Sequence, residues 1–191
     1  MPRSGVTTLR VIQEAEAVAD EVGLANVTLM SVAQRLGVRT PSLYKHIDGM
    51  DALQRQLSIR ALNELGDVLA RACVGKAGVQ AVKAISVALR NWAKQHPGRY
   101  AATVAAADPK DKEYAAASFA VVQVALDVLA SFDLTGDDAI DAARALRSTL
   151  HGFIALEQAG GFGLPVDIDR SFNRLVLGLA NTLSEWAQPA S

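Results

Sequence analysis

Apolar residues recur along this chain at helical spacing, and the two-residue alternation of a half-buried strand is scarce. Leu9, Ile12, Ala15, Ala19 and Val22 mark a first helix, Thr8–Val22. Gly23 follows and suits a left-handed cap. Thr28 is placed as the N-cap of a second helix. There Leu29, Val32, Ala33 and Leu36 keep the i, i+3, i+4, i+7 pattern, and Gly37 ends it after barely two turns. Val38 is an apolar residue inside the turn, Thr40 reads as the next N-cap, and Pro41 fits the first helical position. A very short helix over 41–46 follows, with Leu43 and Ile47 pointing inward. Leu53, Leu57, Ala61, Leu65 and Leu69 then recur every four residues along a long helix over about 50–69.

The remainder is helical too. Val79, Val82, Ile85, Leu89 and Trp92 mark a helix that Pro97-Gly98 breaks. A shorter segment covers 100–107, and the charged run 108–113 is a loop. Further helices are expected over about 114–131, 138–158 and 169–187, the last two separated by a Gly-rich loop. The pattern predicts an all-α protein. Its expected division is a first small helical domain at 1–50, a connecting helix at 50–69, and a second helical domain over 70–191.

Composition narrows the class. Half the residues are hydrophobic and 20% are charged, so the chain can bury a core and is not of the disordered type. No run approaches about 20 consecutive apolar residues, so no membrane span is expected. The opening Met1-Pro2-Arg3-Ser4-Gly5 lacks the apolar region of a secretory signal. Cys73 is alone, which rules out an internal disulfide. A cytoplasmic location is the expectation. The net charge of −1 argues against non-specific coating of nucleic acid. Over 35–60, however, Arg35, Arg39, Lys45, Arg55 and Arg60 face only Asp48 and Asp51, and His46 adds charge when protonated.

Residues 28–57 carry the functional signal. Two short helices joined by Leu36-Gly37-Val38-Arg39, with small Ala33 at their crossing, have the chemistry of a helix-turn-helix. The second helix would present Arg39, Thr40, Pro41, Ser42, Tyr44, Lys45 and His46 to DNA. Short or forked donors such as Arg39, Thr40 and Ser42 suit base edges. Tyr44, Lys45 and His46 suit phosphate oxygens. Thr28 joins this set at the start of the preceding helix. A plain structural helix pair is the competing reading.

The run Leu29-Met30-Ser31-Val32-Ala33-Gln34-Arg35-Leu36-Gly37-Val38, with Thr40-Pro41-Ser42-Leu43-Tyr44-Lys45-His46-Ile47, resembles the TetR family of bacterial repressors. The resemblance covers about residues 8 to 62. It implies a three-helix DNA-binding head, a variable ligand-binding domain, and a homodimer on a palindromic operator. It also implies that a small-molecule effector separates the heads and releases DNA. One departure stands out. The family often carries Lys at the start of the following helix, where it meets a phosphate, and this chain has Met50. Arg3 and Arg10 are placed to compensate. His151-Gly152-Phe153 and the later Gly160-Gly161-Phe162-Gly163-Leu164-Pro165 resemble a subgroup with a Trp/His-Gly element. Asn91-Trp92-Ala93 with His96-Pro97-Gly98-Arg99-Tyr100 fits that subgroup as well.

In the second domain the apolar stripes have two candidate roles. Leu146, Leu150 and Ile154 on one helix, with Phe172, Leu175, Leu179 and Leu183 on the next, form a candidate dimer seam. They equally suit the core of the single chain. Trp92, Tyr100, Phe119 and His151 are candidate pocket residues, against the alternative that all four pack internally. No metal spacing, nucleophile motif or phosphate loop is present, so no catalysis, metal or cofactor is expected. Asp137-Asp138 and Asp167 with Asp169 sit at expected helix starts, where capping accounts for them. A helical small-molecule binder or enzyme with a degenerate head is the alternative to a regulator.

Overall fold

Thr7 accepts a hydrogen bond from the Arg10 N–H and so opens the first helix of the computed structural model, which describes residues 6–186. The helices are α1 (Thr8–Val22), α2 (Leu29–Leu36), α3 (Gly49–Cys73), α4 (Gly78–Gln95), α5 (Pro97–Ala102), α6 (Lys112–Ala130), α7 (Gly136–Gln158) and α8 (Ile168–Trp186). Two 3-10 turns, Leu24–Asn26 and Thr40–Lys45, lie between them. The described residues hold no strand, so the all-α expectation stands. Arg3 and the expected last residue of the final helix, Ala187, lie outside the described residues.

The chain forms two compact units, residues 1–64 with 95–118 and residues 65–94 with 119–191. The expected division into 1–50 and 70–191 did not assign 95–118 to the first unit.

In the first unit, the apolar stripe of α1 closes a core with α2, the turn and the start of α3. Val11, Ile12, Ala15, Val18, Ala19, Val32, Leu43, Ile47, Leu53 and Leu57 are all buried there, and Ala102 joins them from α5. Pro97 does more than end α4, because it starts α5 directly after His96. Gly98 is buried, and a Cβ on it would overlap the Ala19 carbonyl. Only glycine lets these two backbones approach so closely. Ion pairs fasten the same seam. Arg99 donates to Asp20 (2.8 Å) and Glu64 (2.7 Å), and its backbone N–H also reaches Asp20. Arg60 donates to Glu16 (2.8 Å), whose residue is only 6% exposed. A buried carboxylate without such a partner would be strongly destabilising.

The second unit is a helix assembly around Leu65, Leu69, Val82, Ile85, Trp92, Leu129, Leu146, Leu150, Ile154, Phe172, Val176 and Leu183, all buried. One charged residue lies inside it. Arg90 is 7% exposed and makes a two-pronged contact with Glu157 at 2.7 and 2.6 Å. It also reaches Asp169 at 2.7 Å. Its guanidinium carbon sits 4.6 Å from the Phe172 ring centre and 5.7 Å from that of Phe153. Delocalised charge over aromatic faces is favourable, and the fork geometry matches a carboxylate. Arg90 thereby joins α4 to α7 and to the first turn of α8. Asp167 caps α8 by accepting from the Asp169 and Arg170 N–H groups.

By length and composition alone α6 is apolar enough to cross a membrane, with a mean hydropathy of 1.4 over its most apolar 18 residues. Counting consecutive apolar residues missed it, because Ser118, Gln123 and Asp127 interrupt the run. Buried Ala117, Val128 and Leu129 pack inward, and Phe119 stands 59% exposed.

Two predictions follow from this packing. Gly98→Ala should destabilise the first unit by about 1–3 kcal/mol or more through overpacking, whereas Gly163→Ala, with open space at its Cβ, should be neutral or stabilising by up to about 1 kcal/mol. Thermal unfolding of the two variants checks this. The Arg90 guanidinium, helped by Lys94, holds the Glu157 carboxyl below the usual carboxylate range. A depressed carboxylate pKa contributes stability above the unfolded value, about 4.3 for Glu, and that stability is lost as pH falls through the lower folded value. Glu157→Gln should therefore lower stability near neutrality by about 1–3 kcal/mol and flatten the acid limb. Denaturant titrations between pH 3 and 7 read both effects.

Candidate nucleic-acid interface

The two-turn α2 is fixed at both ends by local chemistry. Thr28 accepts from the Ser31 N–H (3.0 Å), and the Ser31 hydroxyl accepts from the Thr28 N–H (3.1 Å), a reciprocal capping box. Gly37 then takes the left-handed conformation (φ 68°, ψ 29°), and its N–H bonds back to Gln34. Val38, partly buried, packs against the core of the first unit, as the apolar turn residue was expected to do. The chain re-enters helical geometry as a 3-10 turn, Thr40–Lys45, where a short α-helix was expected. Arg39 occupies the cap position and makes no side-chain cap bond there, so Thr40 is the first helical residue and not the cap.

Within this turn the side chains divide cleanly. Leu43 is fully buried and Ile47 nearly so. Arg39, Pro41, Ser42, Tyr44 and Lys45 are exposed, while Thr40 and His46 are half-buried. Tyr44 is 57% exposed, an unusual place for an aromatic ring without a partner surface. The His46 carbonyl accepts from the Thr8 hydroxyl at 3.2 Å, which ties the end of the turn to the start of α1. Thr28 is exposed, with its side chain engaged in the cap. Met50 packs partly buried against the core of this unit, so the departure from Lys serves packing.

The positive stretch seen in the sequence is much reduced by folding. Arg35 is bound to Glu14 (3.1 Å) and Glu21 (2.6 Å), and Arg60 to Glu16. Arg55 is bound to Asp111 (2.5 Å) and Glu113 (2.8 Å). Among the described residues Arg39 and Lys45 form no ion pair. Arg39 and Lys45 are thus left for an outside partner at the turn, and among the described residues of this unit the exposed Arg10, Lys110 and Lys112 are likewise without an ion pair. A surface groove of about 450 Å³ runs beside it, lined by Thr8, Tyr44, Lys45, His46, Arg55 and Gln56, with Asp48 as its acidic member.

The other candidate residues fare differently. Leu146, Leu150, Ile154, Phe172 and Leu183 are buried in the core of the second unit, so they are not open to a partner chain. Leu175 and Leu179 are half-buried. A helical stripe does not reveal which of two apolar faces meets the chain's own core, and here the more regular stripe does. Trp92 is buried and His151 half-buried in the second unit, and Phe119 stands exposed. Tyr100 is buried in the first unit, on α5. The four therefore do not form one cluster within either unit. The Arg90 cluster and the Arg99 tie went unforeseen, because their acids lie 67 and 79 residues away.

Comparison with known proteins bears on this geometry. A family model described as "Tetracyclin repressor-like, C-terminal domain" matches residues 82–179. An uncharacterized HTH-type transcriptional regulator of Mycobacterium tuberculosis is 36% identical over 171 residues, covering 89% of this chain and 78% of the relative. The uncharacterized HTH-type transcriptional regulator YobS of Bacillus subtilis is 31% identical over 172 residues, covering 90% of each. Among solved structures, TetR-Q116A from Acinetobacter baumannii in complex with minocycline has the same fold, with a TM-score of 0.72 at 19% identity over 97% of this chain and 100% of that one.

Leu43 anchors the exposed residues on either side of it. Leu43→Ala should cost about 2–5 kcal/mol and abolish the ordered turn. Loss of protection of the 40–47 amides in hydrogen exchange is the expected readout.

Proposed function

The chain belongs to the TetR family of transcriptional regulators, and from that premise we propose that it is a homodimeric repressor that reads a palindromic operator. The carrying observation is the turn Thr40–Lys45, whose neighbouring cations Arg39 and Lys45 stay unpaired while Arg35, Arg55 and Arg60 are bound by acids. Arg39, Thr40 and Ser42 take the base edges, and Pro41 sets the entry of the turn. Tyr44, Lys45, His46 and the α2 start at Thr28 serve phosphates. In a dimer the two turns enter successive major grooves about one helical turn of DNA apart.

The second unit takes the effector and the partner. The exposed apolar surface of α6, with Phe119, needs cover, which supports a small molecule of largely apolar character there. Trp92 and His151 remain its candidate contacts in this unit. We place the dimer seam on the outer faces of α7 and α8, where Gly152, Leu156, Leu177 and Gly178 are exposed, flanked by Leu175 and Leu179. Small residues there admit close helix approach. The Trp/His-Gly subgroup and a cytoplasmic, non-enzymatic role complete the reading. The effector acts by binding two dimer conformations with different affinity.

Arg39→Ala should weaken operator binding by about 1–3 kcal/mol of discrimination, and Tyr44→Ala should weaken it across sequences. Neither should change thermal stability, since both side chains are exposed. An electrophoretic shift with the upstream DNA of the gene, at two salt concentrations, tests the reading. A salt-sensitive, competitor-resistant shift lost in both variants is the expected result. Intact binding in both would remove the assignment of these residues.

A further inference from the structure

Arg55 lines the groove beside the turn, yet its charge is already engaged. Its Nε donates to one oxygen of Asp111 at 2.5 Å and its Nη2 to the other at 2.7 Å. The same Nη2 reaches Glu113 at 2.8 Å. Asp111 is held for this task, because it also accepts from the Tyr114 N–H and so caps α6. The guanidinium holds the Asp111 carboxyl below the usual carboxylate range, so the acid stays charged. All three residues belong to the first unit.

The rest of the groove wall is rich in donors. Tyr44, Lys45 and Gln56 each offer at least one, and His46 offers one in either tautomer, while the Thr8 hydroxyl proton is given to the His46 carbonyl. Asp48 is the acid on that wall. A set of neutral donors and a lysine around a groove of about 450 Å³ fits a phosphate of the DNA backbone. Arg55 is about one-third exposed and stands at its edge. Forked donors are the preferred partners of phosphate, and surface pairs such as Arg55 with Glu113 hold weakly.

We propose that Asp111 and Glu113 form an acidic clasp that withholds Arg55 from DNA, and that only when this clasp is opened does an operator phosphate in the groove beside Tyr44 and Lys45 take Arg55 over. The clasp rests on the reading of this unit as a DNA-binding head. It makes affinity depend on the position of residues 111–113, far from the turn in sequence. Displacing those residues from α3 strengthens DNA binding by releasing one cation.

The test is a salt titration of operator affinity for the full chain and three variants. Asp111→Asn with Glu113→Gln removes the clasp, and Asn retains the helix cap. In this variant affinity should rise at every salt concentration. The slope of log affinity against log salt should steepen by about 0.9, the share of one phosphate contact. Arg55→Gln alone should change little. Arg55→Gln added to the clasp variant should restore the original slope, which separates a gained Arg55 contact from the mere loss of two negative charges. A clasp variant whose slope equals that of the unaltered chain, which itself binds, overturns the clasp and leaves the regulator reading intact. Binding by the clasp variant alone supports the clasp in its strongest form. Failure of all four proteins to select any DNA from a random pool overturns both. Far-ultraviolet circular dichroism confirms that each variant is folded as the unaltered chain is.

Discussion

The backbone contact between Gly98 and Ala19 governs the first unit. It brings the start of α5 against α1 with no side chain between them. Once that contact forms, Arg99 falls within reach of both Asp20 and Glu64, and Ala102 enters the core beside the α1 stripe. The helix-turn-helix is therefore braced from behind. A turn as short as Thr40–Lys45 has little stability of its own, since 3-10 geometry is used in short pieces with poorer hydrogen bonds. Its exposed residues can face a partner in one fixed arrangement only because Leu43 and Ile47 are locked into a core that is itself braced.

Charge is arranged by the same logic. The unit places four of its arginines, Arg35, Arg55, Arg60 and Arg99, on its own acids. Arg35, Arg60 and Arg99 knit α1 to α2, α3 and α5. Arg39 and Lys45 keep their charge free at the turn. A protein of net charge −1 cannot rely on bulk attraction to DNA. It depends on where a few guanidinium and ammonium groups are left unsatisfied.

Much of this was legible in the sequence wherever the cause is local. The Thr28 cap, the two-turn α2 and the Gly37 turn obey rules that act within four residues, and each stands where the spacing put it. The Pro41 turn was located, but its 3-10 winding was not, because a six-residue segment is wound by what it packs on. Long-range pairings were illegible. Arg55 read as surface charge because nothing near it announces Asp111, 56 residues on. Pro97-Gly98 read as a break, although it is equally a docking point. The stripe Leu146, Leu150, Ile154 was found, yet periodicity cannot tell a core face from a partner face.

The brace has a consequence for the order in which the protein is made. Asp20 finds its Arg99 partner 79 residues later. Closing so long a loop costs little more than closing a short one, since the entropy grows only with the logarithm of length. The timing is another matter. On a ribosome the turn and its core emerge first, and the piece that braces them follows only after α3 and α4 have been synthesised. Until then the α1 face that receives Gly98 is open, with Asp20 still lacking its Arg99 partner. A nascent chain of this protein thus carries a nearly finished reading head whose last support is still inside the exit tunnel.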